Sequence, residues 1–434
     1  MAREQARKST AHVGRTREEE AGGANPLRRV SALALGILAG IGGFVDFGGV
    51  VTSTQAGAQY RYGLIWTIVV GLIGFAVFAE MAGRVTISTG RTMYDVIRDR
   101  LGARLALLPL VSTTISQILT VFVELAGMAL VAGWLLKVSY LLWIPLCAVL
   151  VWAIIWWAGF ELLDNTAALL GLTMMVAVAV MISTTKDWGS LAAATVHPTF
   201  SGVRSPAAYL FFVISLFGAY MTPYQFAFYS SGVMEQEWNA SDFLTNRVVA
   251  IVGTAFGAVV TLALMAGAAG ILFPRHATVS TFAATVVPAS VTLGAVGIGL
   301  FLCGTFAVSL GAGLEASMSG SYAIMQYYGW DWGKKGRPGK APLFHFVVIL
   351  FLVVGILIGE TGVNPIAMTT FAMAVGAVTL PFSFIPLMIV ANDRDFMGEQ
   401  RNSLGTNLAA WLILALLTVV TLTAIPLLIL SGSL

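Results

Sequence analysis

Two residues that are costly inside a membrane stand in the middle of apolar, membrane-length segments of this chain. One is Asp46, in a glycine-rich stretch, and the other is Pro223. A carboxylate at membrane depth is usually retained because it takes part in binding or moving an ion. A helix break at that depth exposes backbone groups, which is tolerated only where they line a cavity or pack against protein. The two interruptions therefore mark a candidate site for an ion or a polar solute.

Composition indicates that the segments around these residues belong to a membrane protein. Of the 434 residues, 58% are hydrophobic and only 10% are charged, which is too apolar for a water-soluble chain of this length. Residues 1–30 are polar and lack apolar periodicity, so they predict a disordered cytoplasmic tail. Residues 31–434 predict one transmembrane domain that is entirely α-helical.

Apolar windows long enough to cross the hydrocarbon core recur about eleven times after the tail. They are predicted at residues 32–57, 64–82, 107–136, 141–158, 167–183, 206–231, 248–272, 291–318, 344–358, 365–390 and 406–430. The first is broken at Asp46 and the sixth at Pro223. A short amphipathic segment at residues 93–100 is predicted to lie at the cytoplasmic interface.

Basic residues predict the orientation of these spans. With eleven spans, most of the 24 lysine and arginine residues fall on the side of the N-terminus, with clusters in the tail and at residues 84–104 and 334–340. Cytoplasmic loops carry such an excess. We therefore expect an integral protein of a bacterial inner membrane, with the N-terminus in the cytoplasm and the C-terminus outside.

The broken spans occupy corresponding positions if spans one to five and six to ten are inverted repeats. Paired interruptions of this kind are typical of secondary transporters that bind their substrate at the repeat interface. The sequence contains no nucleophile and base pair, cofactor motif or nucleotide fingerprint. We therefore expect no enzyme, no cofactor and no nucleic acid partner. The lipid bilayer is the expected partner, and the oligomeric state is left open.

Several motifs follow one another along the chain in the order found in a known family. They are Asp46, Gly48, Gly57, Gln59, Tyr62 and Trp66 around the first two spans, Arg84 with Thr89-Gly90, Glu124 with Gly127, Gly218-Ala219 with Pro223, and Leu380-Pro381-Phe382. In this order and spacing the chain resembles the NRAMP divalent metal transporters. The resemblance implies a LeuT-like fold, with two five-helix inverted repeats and an eleventh helix, and with helices one and six broken.

The chain departs from the family pattern at the residues that the resemblance assigns to the metal. Gly49 stands where the family has Asn, Thr222 where it has Met, Tyr224 where it has His, and Gln225 where Asn is usual. The remaining donors are then the oxygens of Asp46, Thr222, Gln225 and exposed carbonyls. A thioether favours softer ions, whereas oxygen donors suit a hydrated hard ion. We expect Mg²⁺ or Mn²⁺ to be preferred, with space for bound water at Gly49.

The resemblance also bears on proton coupling and on the pathway. It assigns the proton route to a sixth-span His, here Tyr224, and to a third-span Asp, here Val121. Neither side chain titrates near neutral pH. Glu124 remains as an acid that accepts a proton or serves the pathway, and Glu315 is a second acid inside a span. Uncoupled transport is therefore at least as consistent with the sequence as coupled transport.

Each of these residues also has a purely structural interpretation. Asp46 is then a helix cap, Pro223 an ordinary kink, and Glu124 a hydrogen-bonding partner between helices. Two other functions also stay open on the same fold: a carrier of a small organic or monovalent solute, and a sensor that transports nothing.

Overall fold

A computed structural model describes residues 45–157, 172–198, 205–333 and 341–431. In this part of the chain all regular secondary structure is helical. The helices are α1 (Phe47–Tyr60), α2 (Ile65–Thr89), α3 (Met93–Leu101), α4 (Ala103–Leu136), α5 (Tyr140–Trp157), α6 (Val176–Thr184), α7 (Trp188–Ala194), α8 (Pro206–Tyr220), α9 (Pro223–Glu235), α10 (Phe243–Ile271), α11 (Phe282–Tyr328), α12 (Pro342–Glu360), α13 (Pro365–Asn392), α14 (Arg394–Met397) and α15 (Leu404–Ser431).

The described helices agree with the predicted spans. Nine segments are long and apolar enough to cross a membrane, α8 and α9 counting together as one. The other two predicted spans are represented by α1 and by the apolar stretch Leu172–Thr184. The predicted tail at residues 1–30, the first part of span one, the start of span five and the basic segment 334–340 lie outside the described residues.

The break in the sixth span follows from local backbone chemistry at Pro223. Helix α8 ends at Tyr220 and α9 begins at Pro223. Proline has no N–H and a fixed φ, so it suits the first position of a helix. It also disfavours helical geometry in the preceding residue, and Thr222 is extended, with φ −60° and ψ 125°. The predicted break is confirmed.

The first described helix begins at the predicted acid. Asp46 has extended geometry, with φ −117° and ψ 174°, and is the N-cap of α1. Two helices, one from Phe47 and one from Pro223, therefore begin within segments that the sequence predicts to lie at membrane depth.

Two predicted boundaries are wrong. The second span was placed at residues 64–82, but α2 continues to Thr89 and ends at Gly90, whose φ is 64°. Arg84 therefore lies in the helix and not in a loop; it is buried and pairs with Glu80 at 2.9 Å. The eighth span was placed at residues 291–318, but α11 bends at Gly294 and continues to Tyr328.

Residues 93–100 form a helix, α3, as predicted, and its place at the cytoplasmic interface stays a prediction. Its apolar face is buried, and its basic residues tie it to other helices. Arg98 donates to the backbone carbonyls of Gln326, at 3.1 Å, and Tyr327, at 2.6 Å, at the end of α11. Arg100 pairs with Asp393 after α13. These contacts join α3 to the ends of two long helices, α11 and α13.

Small residues let the broken helices approach their neighbours at backbone distance. A β-carbon at Gly218 of α8 would overlap the carbonyl group of Met373 in α13, and one at Gly57 of α1 would overlap that of Met265 in α10. Such close approach is how membrane helices gain packing energy. Of the nine long segments, α8 with α9 is the most buried. The helix breaks therefore lie inside the bundle.

Candidate functional site

Asp46 joins the two helix breaks. Its Oδ1 accepts a hydrogen bond from the Gly49 amide at 2.6 Å, which caps α1. Its Oδ2 faces Thr222, whose hydroxyl lies 3.5 Å away. The side chain is 1% exposed. Because both helices begin here, the carboxylate also faces the positive ends of two helix dipoles, which favours a negative charge at this point.

A second carboxylate reaches the same helix start. Glu124, on α4, is fully buried, and its Oε2 accepts a hydrogen bond from the Phe47 amide at 3.2 Å. The sequence marked Glu124 as a residue of the proton route or pathway, without placing it at the first break. The structure places it there, where it satisfies an amide that the start of α1 leaves unbonded.

Thr222 and Gln225 supply neutral oxygens around the second break. The Thr222 hydroxyl has a second acceptor in the Ala219 carbonyl at 3.3 Å. It carries one proton for the two acceptors, so its oxygen keeps lone pairs for a cation. Gln225 is buried, and its amide donates to the Thr222 carbonyl at 3.1 Å. Asp46, Thr222 and the backbone of Gln225 thus lie together.

Tyr224 has different surroundings from the polar residues beside it. Its side chain is buried in an apolar cluster that also contains Val121 and Leu125 of α4. Its carbonyl accepts a hydrogen bond from the Ser319 hydroxyl at 2.7 Å, so α9 is tied to α11. The two positions that the family resemblance linked to protons, Val121 and Tyr224, therefore belong to one apolar cluster, although the acids Asp46, Glu124 and Glu315 act on the Tyr224 side chain.

Different side chains pack against Gly49 and Gly48. A β-carbon at Gly49 would lie 3.3 Å from Asp46 Oδ1 and 3.8 Å from the methyl group of Thr261, a moderately tight fit. A β-carbon at Gly48 would overlap the sulfur of Met373 from α13. The space predicted for water at Gly49 is thus bounded by Asp46 itself, and a thioether reaches the neighbouring glycine.

Met373 is a residue that the sequence did not single out. Methionine is a common filler of irregular apolar gaps, so a Met in an apolar span gives no signal of its own. Its proximity to Gly48 depends on how α13 packs on α1 and α8 and cannot be read from local pattern. The Met373 sulfur therefore lies near the first break, in addition to the oxygens that the sequence identified.

Glu315 lies on α11, half-buried, and interacts electrostatically with Glu124 and Tyr224. It belongs to the neighbourhood of the breaks and not to a distant part of the bundle. Across residues 45–157, 172–198, 205–333 and 341–431, no three His, Cys, Asp or Glu side chains are grouped so as to hold a metal ion.

Comparison with known proteins gives a consistent family and fold. A family model described as natural resistance-associated macrophage protein-like matches residues 36–426. The divalent metal cation transporter MntH of Aeromonas hydrophila is 26% identical over 404 residues, which cover 90% of this chain and 95% of that protein. The protein of the same name from Verminephrobacter eiseniae is 23% identical over 372 residues, 83% of this chain and 81% of its own length.

Solved structures show the same architecture. A mutant of the Eremococcus coleocola manganese transporter superposes with a TM-score of 0.70 at 18% identity, covering 92% of this chain and 87% of that one. MhsT in complex with L-phenylalanine superposes with a TM-score of 0.63 at 14% identity, covering 90% and 98%. The expected LeuT-like fold is confirmed.

Two substitutions separate the capping role of Asp46 from its charge. Asp46→Asn keeps an oxygen that accepts the Gly49 amide, whereas Asp46→Ala leaves that amide without its acceptor, a loss of about 0.5–2 kcal/mol for an N-cap. We expect the melting midpoint of the purified protein, without divalent ions, to fall in Asp46→Ala and to be kept in Asp46→Asn. Equal loss in both variants would show that the charge itself holds the fold together.

Proposed function

The chain belongs to the Nramp family, the natural resistance-associated macrophage protein-like proteins, and on that premise we propose that it is a secondary transporter that carries a divalent metal cation across the membrane. The cation binds between the starts of α1 and α9. The relatives named as divalent metal cation transporters support this assignment. The observation that carries it is the buried Asp46 carboxylate, which faces both helix breaks.

The ion is a hard one, Mg²⁺ or Mn²⁺. Asp46 Oδ2 and the Thr222 hydroxyl are the side-chain donors, with Gln225 and carbonyls of the breaks beside them. One carboxylate with neutral oxygens suits Mg²⁺, which keeps several of its waters and is usually bound through one or two carboxylates. The Met373 sulfur packs over Gly48, and the residue is 1% exposed. In this proposal it is a packing group and not a ligand.

Transport proceeds without obligatory proton coupling. Val121 and Tyr224, the two positions that the resemblance links to protons, carry side chains that do not exchange protons near neutral pH. Glu124 holds the start of α1, and Glu315, half-buried and close to it, lines the route away from the breaks. The N-terminus faces the cytoplasm and the C-terminus the outside, in keeping with the distribution of basic residues.

Ion flux with simultaneous pH recording tests this function. In proteoliposomes we expect saturable entry of Mg²⁺ or Mn²⁺ without acidification of the lumen. Asp46→Asn should abolish entry, because it removes the charge and keeps the cap. Liposomes of the same composition without protein measure the passive leak of the ion.

Other outcomes of this experiment would contradict the proposal. Acidification in step with metal entry would contradict the absence of coupling. No entry of any divalent ion would favour the organic or monovalent solute, or the sensor. Unchanged flux in Asp46→Asn would remove Asp46 from the site.

The ion selectivity of variants at Thr222 and Met373 tests which donor atom contacts the ion. Thr222→Met places a thioether where an oxygen stood, so we expect the ratio of Cd²⁺ to Mg²⁺ affinity to rise by roughly tenfold, equivalent to about 1.4 kcal/mol. Met373→Leu should leave the ratio unchanged, as should the control Met388→Leu on the same helix. Competition of each ion with Mn²⁺ uptake measures the ratio. A fall in Cd²⁺ affinity in Met373→Leu alone would make that sulfur a ligand.

A further inference from the structure

Helices α4 and α11 meet along an antiparallel seam of small and polar residues. A β-carbon at Gly127 would lie 2.6 Å from the Ser309 hydroxyl, and one at Gly313 would lie 3.4 Å from Glu124 Cβ. Farther along, the Gln117 amide donates to the Ser319 hydroxyl at 3.1 Å. Residue numbers rise on one helix as they fall on the other. The seam is thus continuous from Ser309 to Ser319 and passes Glu124.

Three oxygens in this seam are buried without a hydrogen-bond partner. Gln117 Oε1 lies toward the Ser319 end, and the two near the start of α1 are Ser309 Oγ and Glu124 Oε1. Both residues are fully buried. A buried polar group without a partner costs free energy, so such groups normally bind water, an ion or a protein donor. Ser317, two turns along α11, differs because its hydroxyl donates to the Gly313 carbonyl at 2.7 Å.

Phe47 brings these two oxygens to the same place. Glu124 Oε2 binds the Phe47 amide at 3.2 Å. A β-carbon at Gly127 would lie 2.6 Å from both the Phe47 ring and the Ser309 hydroxyl. The unbonded oxygen of Glu124 and the unbonded hydroxyl of Ser309 therefore flank the first residue of α1, from α4 and α11 respectively.

The charges around Glu124 call for a positive partner. The charged groups that act on Glu124 are Asp46 and Glu315, and both are acids. Two backbone amides, of Phe47 and Gly48, are the favourable polar contacts. A carboxylate buried among other carboxylates is strongly disfavoured unless it takes up a proton or a cation accompanies it. Asp46 has its own contacts, to Gly49 and Thr222.

We propose that Glu124 Oε1 and Ser309 Oγ are ligands of a second cation site, distinct from the site at Asp46, and that it binds a small alkali cation, Na⁺. One carboxylate oxygen and neutral oxygens match a single positive charge. The hydroxyl and carboxylate are hard donors, which suit a hard ion. The cation braces the start of α1 against α4 and α11. The proposal does not depend on which ion is transported.

The test is a melting experiment without divalent ions. The purified full chain is kept in a chelator, and NaCl is titrated against choline chloride at constant ionic strength. We expect a saturable rise of the melting midpoint in Na⁺ and none in choline, because a ligand that binds only the native state stabilises it. Direct ²²Na⁺ binding to the same protein measures the site independently of stability.

Variants of Glu124 and two serines test which residues bind Na⁺. Ser309→Ala should weaken the apparent sodium affinity about tenfold, the factor that corresponds to about 1.4 kcal/mol. Glu124→Gln keeps an oxygen for the Phe47 amide and removes the charge, so ²²Na⁺ binding should disappear. Ser317→Ala is the matched control, since it removes a buried hydroxyl of the same helix that is already bonded, and it should keep the wild-type affinity.

The proposal is overturned if Na⁺ and choline give the same melting midpoints in the wild type and ²²Na⁺ does not bind. It is also overturned if Ser309→Ala and Ser317→Ala bind Na⁺ alike. If Glu124→Gln fails to fold, the comparison of the two serine variants still decides. Because no divalent ion is present, a negative result here leaves the transport proposal standing, and failure of metal transport leaves this one standing.

Discussion

A helix that begins inside a membrane leaves its first amides without partners, and the surrounding lipid supplies none. This constraint acts at both breaks of the chain. At α1, Asp46 binds the Gly49 amide and Glu124 binds the Phe47 amide. At α9, Pro223 takes the first position and removes one amide altogether. The same contacts that make the breaks stable gather two carboxylates and a hydroxyl at one depth.

The double duty of Asp46 links stability to function. One oxygen is occupied by the cap of α1 and the other faces Thr222 of the second break. The two half-helices are held in place by close packing, α8 on α13 at Gly218 and α1 on α10 at Gly57. A cation between the breaks would therefore contact two segments whose relative position depends on the packing of full-length helices. Binding at such a point is coupled to the arrangement of the bundle.

Sequence reasoning found the features that depend on local chemistry. Pro223 predicts its own break, and Asp46 is conspicuous because charge is costly in an apolar segment. The sequence could not predict contacts between segments that are far apart in the chain. The bond from Phe47 to Glu124 joins residues 77 positions apart, and Met373 reaches Gly48 only through helix packing. The end of α2 was misplaced because Arg84 looks like a loop residue, whereas it is buried in the helix and bonded to Glu80 and Asn402. The helix ends before Gly90, which adopts left-handed geometry.

The central claim is that a divalent cation binds between Asp46 and Thr222. Anomalous diffraction at the manganese edge, from crystals grown with Mn²⁺, tests it most directly. We expect a peak in contact with Asp46 Oδ2 and the Thr222 hydroxyl that is lost in crystals of Asp46→Asn. A Mn²⁺ peak elsewhere in the bundle, or one at the breaks that persists in Asp46→Asn, would contradict the claim.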